Sequence, residues 1–416
     1  YCHERELEMQ EYHTGGNRMK ELQEFLKSKL NAEDYFTAEE LLNDLIAETE
    51  EKGFAAGAKY TAGLGKELFN AFRKLDILQE LIEDDEITEI MINGINNIFV
   101  ERQGQILELE KRFITRTKLE DVIQQIVAGS NRIVNEASPI VDARLPDGSR
   151  VNVVLYPIAL NGPIVTIRKF PKENITMEQL VRLEAVGQEM IPFLKRLMEA
   201  KYNVFISGGT GSGKTTFLNA LSDFIPKDER IITIEDNAEL RIQNVPNLVR
   251  LEARNANVEG TGEVTIRDLI KSALRMRPDR IIVGEVRSAE AIDMLQAMST
   301  GHKGSLSTGH SDSPKDMLRR LETMVLMGMD VPLAAIQRQI ASAIDIIIHI
   351  GRLWDKSRKL LEIVEVMDYN GEEIDTRILY QFEETGREHG RIAGKWKKVQ
   401  DLANTEKLFS AGYQTL

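Results

Sequence analysis

The chain has a single cysteine, Cys2, among its 416 residues. An intrachain disulfide is therefore impossible, and so is a zinc site built from four thiolates; this usage fits a reducing cytosol. No apolar run approaches the ~20 residues that a membrane-spanning helix needs. The most apolar stretch, Ile344-Asp345-Ile346-Ile347-Ile348-His349-Ile350, is short and β-branched and reads as a core strand. The first residues, Tyr1-Cys2-His3-Glu4-Arg5, lack the basic-then-apolar order of a signal peptide, and without an initiating Met they read as a start inside a longer chain. Basic charge is not in excess either. The formal net charge of −13 argues against a general polyanion binder. One basic cluster, Lys395-Trp396-Lys397-Lys398, reads as a solvated hairpin end. No internal repeat and no low-complexity segment is present. What remains is the composition of a globular protein, 42% hydrophobic and 29% charged, in a chain long enough for two or three domains.

Periodicity divides the chain into three parts. Residues 1–55 are rich in Glu, Lys and Leu at helical spacing (Leu22, Phe25, Leu26, Leu30; Leu41, Leu42, Leu45, Ile46) and read as a helical leader. Residues 56–172 read as an α+β domain. A helix is expected over 75–82 and another over 119–127, with strands near 89–94, 97–102, 105–109, 140–145, 150–155 and 164–168. Gln103-Gly104 and Pro146-Asp147-Gly148-Ser149 supply turns, so the sheet is expected to be antiparallel. Pro171-Lys172-Glu173-Asn174 reads as the linker. Residues 173–416 alternate strand and helix as a parallel α/β sheet requires, with strands near 202–207, 231–234, 248–251 and 281–283.

Within that last part stands Gly208-Gly209-Thr210-Gly211-Ser212-Gly213-Lys214-Thr215, which fits the phosphate-binding pattern G-x-x-x-x-G-K-[ST]. An apolar strand precedes it and an amphipathic helix beginning near Thr216 follows it, the context in which the pattern is specific. A backbone that turns several N–H groups toward one phosphate chain needs conformations that glycine adopts without a Cβ clash. The helix behind it aims the positive end of its dipole at the anion. Lys214 adds a cation for the β- and γ-phosphates, and Thr215 a hydroxyl for Mg²⁺, which prefers hard oxygens. The expected cofactors are ATP and Mg²⁺.

Other residues could complete the chemistry. Arg280-Ile281-Ile282-Val283-Gly284-Glu285 reads as a buried strand ending in a carboxylate, where Glu285 can orient or deprotonate the attacking water. Ile234-Glu235-Asp236 repeats that design one strand earlier. Either acid can hold Mg²⁺ through water, polarise the nucleophile, or only support a loop. Residues 300–310 read as a Gly/Ser/Thr loop carrying His302 and His310, each a possible γ-phosphate sensor, a satisfied loop histidine or a metal ligand, with zinc disfavoured because no Cys lies nearby. Arg144, Arg150, Arg168, Arg275, Arg277 and Arg287 are candidates for neutralising charge on a phosphoryl group, although most arginines are surface residues.

Taken in order, four segments resemble the secretion-ATPase superfamily of type II secretion, type IV pilus and type IV secretion motors. They are the loop at 208–215, an Asp box at 234–240, a Walker B strand at 281–285 with Val286-Arg287, and a His box at 300–310. Residues 142–152, 166–170, 273–280 and 293–298 are most similar to its CpaF branch, the Tad/Flp pilus assembly ATPases. Two stretches depart from the family pattern: Thr308-Gly309-His310-Ser311-Asp312 in the His box, and Asn131 and Asn135 where the family usually has Gly and Asp. The resemblance implies a PAS-like N-terminal domain joined to a RecA-like ATPase domain. It also implies a homohexamer with ATP between the domains and hydrolysis that drives motion on an inner-membrane platform protein from the cytoplasmic side, with no direct contact to nucleic acid. By motif, residues 208–216, including Lys214, Thr215 and Thr216, bind the nucleotide. Thr215 and Glu235 hold Mg²⁺, and Glu285 is the catalytic carboxylate supported by Glu235 or Asp236. Arg144, Arg150, Arg275 and Arg287 are its arginines, and His302 and His310 its histidines. The rivals are a motor of type II or conjugative type IV secretion, a nucleic-acid translocase on the same core, and a scaffold gated by ATP without turnover.

Overall fold

The computed structural model describes residues 74–413, apart from 103, 131, 170–174, 255, 257–260 and 389. The expected leader at 1–55 and linker at 171–174 lie outside the described residues. The chain divides between residues 172 and 173 into two compact units.

Strict alternation builds the first unit. Helix α1 (Ile77–Glu83) leads into β1 (Ile87–Asn93), β2 (Asn97–Arg102) and β3 (Gln105–Leu109); α2 (Arg116–Gly129) then precedes β4 (Ile140–Arg144), β5 (Arg150–Val154) and β6 (Ile164–Arg168). The six strands pair antiparallel in the order β3-β2-β1-β6-β5-β4. Alternate residues of β1, β2, β4, β5 and β6, among them Ile90, Ile92, Val151, Val153, Val165 and Ile167, join the core formed with Leu119, Val122, Ile123 and Ile126 of α2, while the edge strand β3 is largely exposed. Thr115 starts that helix by accepting a hydrogen bond from the Lys118 N–H at 3.1 Å. The register sets Arg144 opposite Arg150, and Arg150 opposite Arg168, so three arginines share one row on the face away from the core.

The second unit begins with α3 (Met177–Arg182), a 3₁₀ turn (Gln188–Met190) and α4 (Ile191–Glu199). It continues through β7 (Val204–Ser207), α5 (Lys214–Ser222), β8 (Ile231–Glu235), β9 (Leu248–Glu252), α6 (Ile266–Ala273), β10 (Arg280–Val283), α7 (Glu290–Ser299) and β11 (Leu306–Gly309). It closes with α8 (Pro314–Gly328), α9 (Leu333–Ala343), β12 (Ile346–Arg352), β13 (Arg358–Tyr369), β14 (Ile374–Glu388), β15 (Arg391–Lys398) and α10 (Glu406–Ser410). Nine strands form one sheet in the order β15-β14-β13-β12-β7-β11-β10-β8-β9. From β12 to β9 the neighbours run parallel. Strands β7, β8, β10 and β12 are apolar at most positions because both faces are covered, whereas the edge strand β9 is only partly buried. Val204 and Ile206 pack with Phe217, Leu218 and Leu221 of α5, whereas Phe205 packs with Met317 and Leu321 of α8 and Ile340 of α9. Among the described residues, no helix is long and apolar enough to cross a membrane.

Two expectations are corrected here. Residues 306–309 are not loop: they form β11, fully inside the sheet between β10 and β7, because Leu306, Ser307, Thr308 and Gly309 are small enough to be buried on both sides. The sheet is not wholly parallel, since β13–β15 extend it antiparallel beyond β12. The 395–398 cluster is, as expected, a solvated hairpin end: Lys395, Lys397 and Lys398 are exposed where β15 ends against β14, while Trp396 Nε1 donates to the Leu360 carbonyl at 2.7 Å.

The starting edge of the sheet is held by a buried ion pair. Arg280, fully buried, donates to both carboxylate oxygens of Glu229, to the Met198 carbonyl at 2.7 Å and to the Gly304 carbonyl at 3.2 Å. One guanidinium thus ties the end of α4, the start of β10 and the segment before β11.

Candidate active site

The finishing ends of β7, β11 and β10 lie side by side, and each launches a segment that carries one candidate residue. β7 ends at Ser207 and opens the glycine loop; β11 ends at Gly309 and presents His310; β10 ends at Val283 and presents Glu285. This is the edge of an open α/β sheet where ligands bind. Gly208 is required by close approach: a Cβ there would stand 2.2 Å from the Ile350 carbonyl oxygen and 2.7 Å from Ser212 Oγ. Gly213, at the N-cap of α5, takes a left-handed φ of 95° that turns the chain into the helix.

Lys214 is buried under this loop. Its Nζ donates to the carbonyls of Gly208 and Gly209, both at 3.0 Å, and lies 3.2 Å from His310 Nδ1. An ammonium has three protons, so these partners use all of its donors. Burial pulls its pKa down, and the nearby Glu285 charge works against that. On the other side of the imidazole, His310 Nε2 stands 2.7 Å from Glu285 Oε1. That approach is at ion-pair distance without the alignment of a hydrogen bond, and Oε1 is otherwise unpartnered. Burial lowers the His310 pKa and so favours the neutral ring, with the Glu285 charge working against it. With Lys214 donating to Nδ1, the proton of the neutral ring sits on Nε2, facing Glu285. The second Glu285 oxygen accepts from Arg287 at 2.6 Å, and this bond holds Arg287 firmly charged. Lys214, His310, Glu285 and Arg287 therefore form one continuous polar line.

Glu235 lies beneath. Its Oε1 accepts from the N–H groups of Glu239 and Leu240, both at 2.8 Å, so it folds the segment 236–240 back onto the strand end. Its Oε2 is buried without a partner, and burial pushes the carboxyl pKa up to about 7. Residue 284 must be glycine for this packing, since a Cβ would come 2.8 Å from Glu235 Cγ. Asp236 is exposed and near enough to Arg287 to add to its charge stabilisation. Thr215 and Thr216 are half-buried in the first turn of α5. The hard oxygens of Thr215 and Glu235 suit Mg²⁺, an ion that keeps most of its ligands as water and phosphate. Among the described residues, no group of three or more His, Cys, Asp or Glu forms a metal cage of its own.

Not every candidate comes to this edge. Asn203, just before β7, accepts from the Gly304 N–H at 2.8 Å and the Ser305 N–H at 3.1 Å, and Ser305 Oγ donates to the His302 carbonyl at 2.7 Å. His302 thus sits at the starting edge of the sheet, a strand length from the loop that His310 faces. Arg275 is exposed and also at that edge, one residue before Met276, whose carbonyl accepts from Arg230 Nε at 3.0 Å. Arg144 and Arg150 belong to the first unit.

Two features went unread in the sequence. Ser207 Oγ and His349 Nδ1 lie 2.9 Å apart in the core, in a row that also includes Gly309. Arg358 Nε donates to the Gly211 carbonyl at 2.8 Å, which brings the β12–β13 hairpin against the glycine loop. The turn of the hairpin is closed by Asp355 Oδ1, which accepts from the Ser357 N–H at 3.0 Å, but no local pattern links the hairpin to the loop.

A family model described as type II/IV secretion system protein matches residues 72–398. The conjugal transfer protein TrbB of Rhizobium radiobacter is 32% identical over 313 residues, which cover 74% of this chain and 93% of that one. The type IV secretion system protein VirB11 of Brucella suis is 32% identical over 307 residues, covering 66% of this chain and 84% of the relative. The fold is similar to that of the Legionella pneumophila ATPase DotB, with a TM-score of 0.51 at 24% identity over 69% of this chain and 79% of that one.

Proposed function

Because the chain belongs to the type II/IV secretion system protein family, we propose that it is a motor that hydrolyses ATP to power the assembly, or assembly and retraction, of a Tad/Flp-type pilus. The hydrolytic reading is carried by the polar line Lys214–His310–Glu285–Arg287 at the mouth of a glycine loop. The pilus branch is supported by the resemblance at 142–152, 166–170, 273–280 and 293–298.

Charge-assisted bonds to phosphate are stronger than bonds to neutral carbonyls. An entering phosphate would therefore draw the Lys214 ammonium away from Gly208, Gly209 and His310. His310 then keeps only its Glu285 contact, and Glu285 becomes the base that orients and deprotonates a water. Glu235 holds the floor of the site through the N–H groups of Glu239 and Leu240. Arg287 holds Glu285 until substrate is present. Mg²⁺ bound with the nucleotide would supply charge neutralisation at the phosphates, and Thr215 and Glu235 are the oxygens that would hold it, Glu235 through water. Arg144 and Arg150 are assigned to nucleotide contact, and Arg275 and His302 to a supporting role, on resemblance alone. The same resemblance supports a homohexamer acting on a platform protein at the cytoplasmic face of the membrane.

The test is Mg²⁺-dependent ATP hydrolysis by the wild type and by Glu285→Gln, with particle mass recorded on the same samples. The expected result is turnover by wild-type rings, and a variant that assembles and binds ATP but turns over at least ~100-fold more slowly. Equal rates would remove Glu285 from the catalytic role. A wild-type rate per chain that does not depend on protein concentration across the assembly range would remove the ring. The names of the relatives favour a second reading, a conjugative or type IV secretion motor. Deleting the gene separates the two: loss of surface pili supports the first, and loss of DNA or protein transfer with pili intact supports the second.

A further inference from the structure

The strand order places the hydrolytic groups on one flank of the glycine loop only. β11 and β10, which deliver His310 and Glu285, lie on one side of β7, and β12 lies on the other. β12 runs parallel to β7 with His349 level with Ser207, so Arg352 extends beyond the strand end beside the loop. Arg358 is its direct cross-strand partner on β13, so both side chains leave the hairpin on the same face. A Cβ built on Gly211 would stand 3.7 Å from Arg352 Nη1, and one on Gly213 would stand 3.3 Å from Arg358 Cδ. The Arg358 Nε bond to the Gly211 carbonyl fixes the loop tip against this wall. Among the described residues, Arg352 has no hydrogen-bond or ion-pair partner, and it is exposed. The guanidinium fork matches phosphate oxygens, and the one buried cation of the loop, Lys214, lies toward the opposite flank with His310.

We propose that Arg352 and Arg358 form a second wall of the nucleotide site, on the flank away from Glu285, where Arg352 binds the phosphates that do not react and Arg358 positions the loop tip. This rests on the reading of the site as an ATPase. A group that holds only the non-reacting part of the substrate binds ground state and transition state alike, so its loss raises KM and leaves kcat in place.

The experiment uses the full chain with Arg352→Gln, measuring ATP turnover and, separately, equilibrium binding of a fluorescent ADP. The expected result is a rise of roughly tenfold in both the KM for ATP and the Kd for ADP, kcat within about twofold of wild type, and an unchanged unfolding temperature without nucleotide. Unchanged ADP binding would overturn the proposal. So would a fall in kcat at constant KM, because Arg352 would then act at the reacting end, or a lowered unfolding temperature, because the arginine would then support the fold. If the wild type itself binds neither ADP nor ATP, the ATPase reading fails, which is a different outcome from loss of binding confined to the variant.

Discussion

His310 Nδ1 lies 3.2 Å from Lys214 Nζ, while Nε2 of the same ring lies 2.7 Å from Glu285 Oε1. One imidazole thus bridges the glycine-loop cation and the carboxylate that would activate water, an arrangement that favours the neutral ring beside an ammonium. Burial holds its pKa below the ordinary value, with Glu285 pulling it up and Lys214, Arg287 and Arg320 pulling it down. Protonation would put a second N–H against the Lys214 ammonium. Turnover is therefore expected to fall as pH drops below the ordinary histidine range near 6.5, and His310→Asn is expected to lose about 10- to 100-fold in kcat and that acidic limb with it. A pH–rate profile of both proteins checks this; an identical acidic limb in the variant would take the bridge out of the mechanism.

Glu235 makes the opposite demand on pH. Its carboxyl is raised from 4.5 to about 7 by burial, so the folded protein favours the protonated form. A group raised in this way contributes stability that is complete below its unfolded pKa and is lost as pH rises through the folded value. The shift corresponds to up to ~3 kcal/mol lost between about pH 4.5 and 7. Glu235→Gln keeps an oxygen for the N–H groups of Glu239 and Leu240 and cannot ionise. In metal- and nucleotide-free protein its denaturant midpoint is expected to exceed that of the wild type at pH 8 and to approach it at pH 5. Parallel midpoints across that range would show that Glu235 does not titrate as the fold implies.

The buried pair Arg280–Glu229 should be expensive to break and cheap to replace whole. Arg280→Met leaves the Glu229 carboxylate with Lys201 at 3.5 Å as its remaining cation and removes the guanidinium bonds to the carbonyls of Met198 and Gly304. A loss of about 3–5 kcal/mol is expected for the single change, and a smaller one for Arg280→Met with Glu229→Gln, which leaves no buried charge behind. Calorimetric unfolding of four proteins, the wild type, Arg280→Met, Glu229→Gln and the double variant, provides the comparison, and strict additivity would refute the coupling.

Much of this architecture is legible in local pattern. Period-2 alternation marks β1, β2, β5 and β6, and the glycine loop announces itself between an apolar strand and a helix. β11 was missed because Leu306-Ser307-Thr308-Gly309 carries no β-branched apolar run; its strand character comes from parallel pairing with β7 and β10 on either side. The same pairing separates His302 from His310, which a reading as one loop puts together. Glu285 and Lys214 could be named from motif, but their link through His310 depends on which strand ends are neighbours. That is set by crossovers that no window of sequence contains. Arg352 and Arg358 were invisible for the same reason: what matters about them is that β12 lies next to β7.

Gly208 tests how tightly that neighbour shapes the loop. Its α-carbon faces the Ile350 carbonyl on β12, and a Cβ would stand 2.2 Å from that oxygen. The contact is with backbone in a strand whose Ile348 and Ile350 are core residues, so relief cannot come from a side chain turning away. Gly208→Ala should instead push the loop out from β12, moving the Gly208 carbonyl that Lys214 now holds at 3.0 Å. Nucleotide affinity is expected to fall by about tenfold or more, while loss of overall stability stays near the 1–3 kcal/mol typical of overpacking. Binding of labelled ATP alongside thermal unfolding separates these effects. Wild-type affinity in the alanine variant would mean that β12 yields, and that the loop is not shaped by its neighbour.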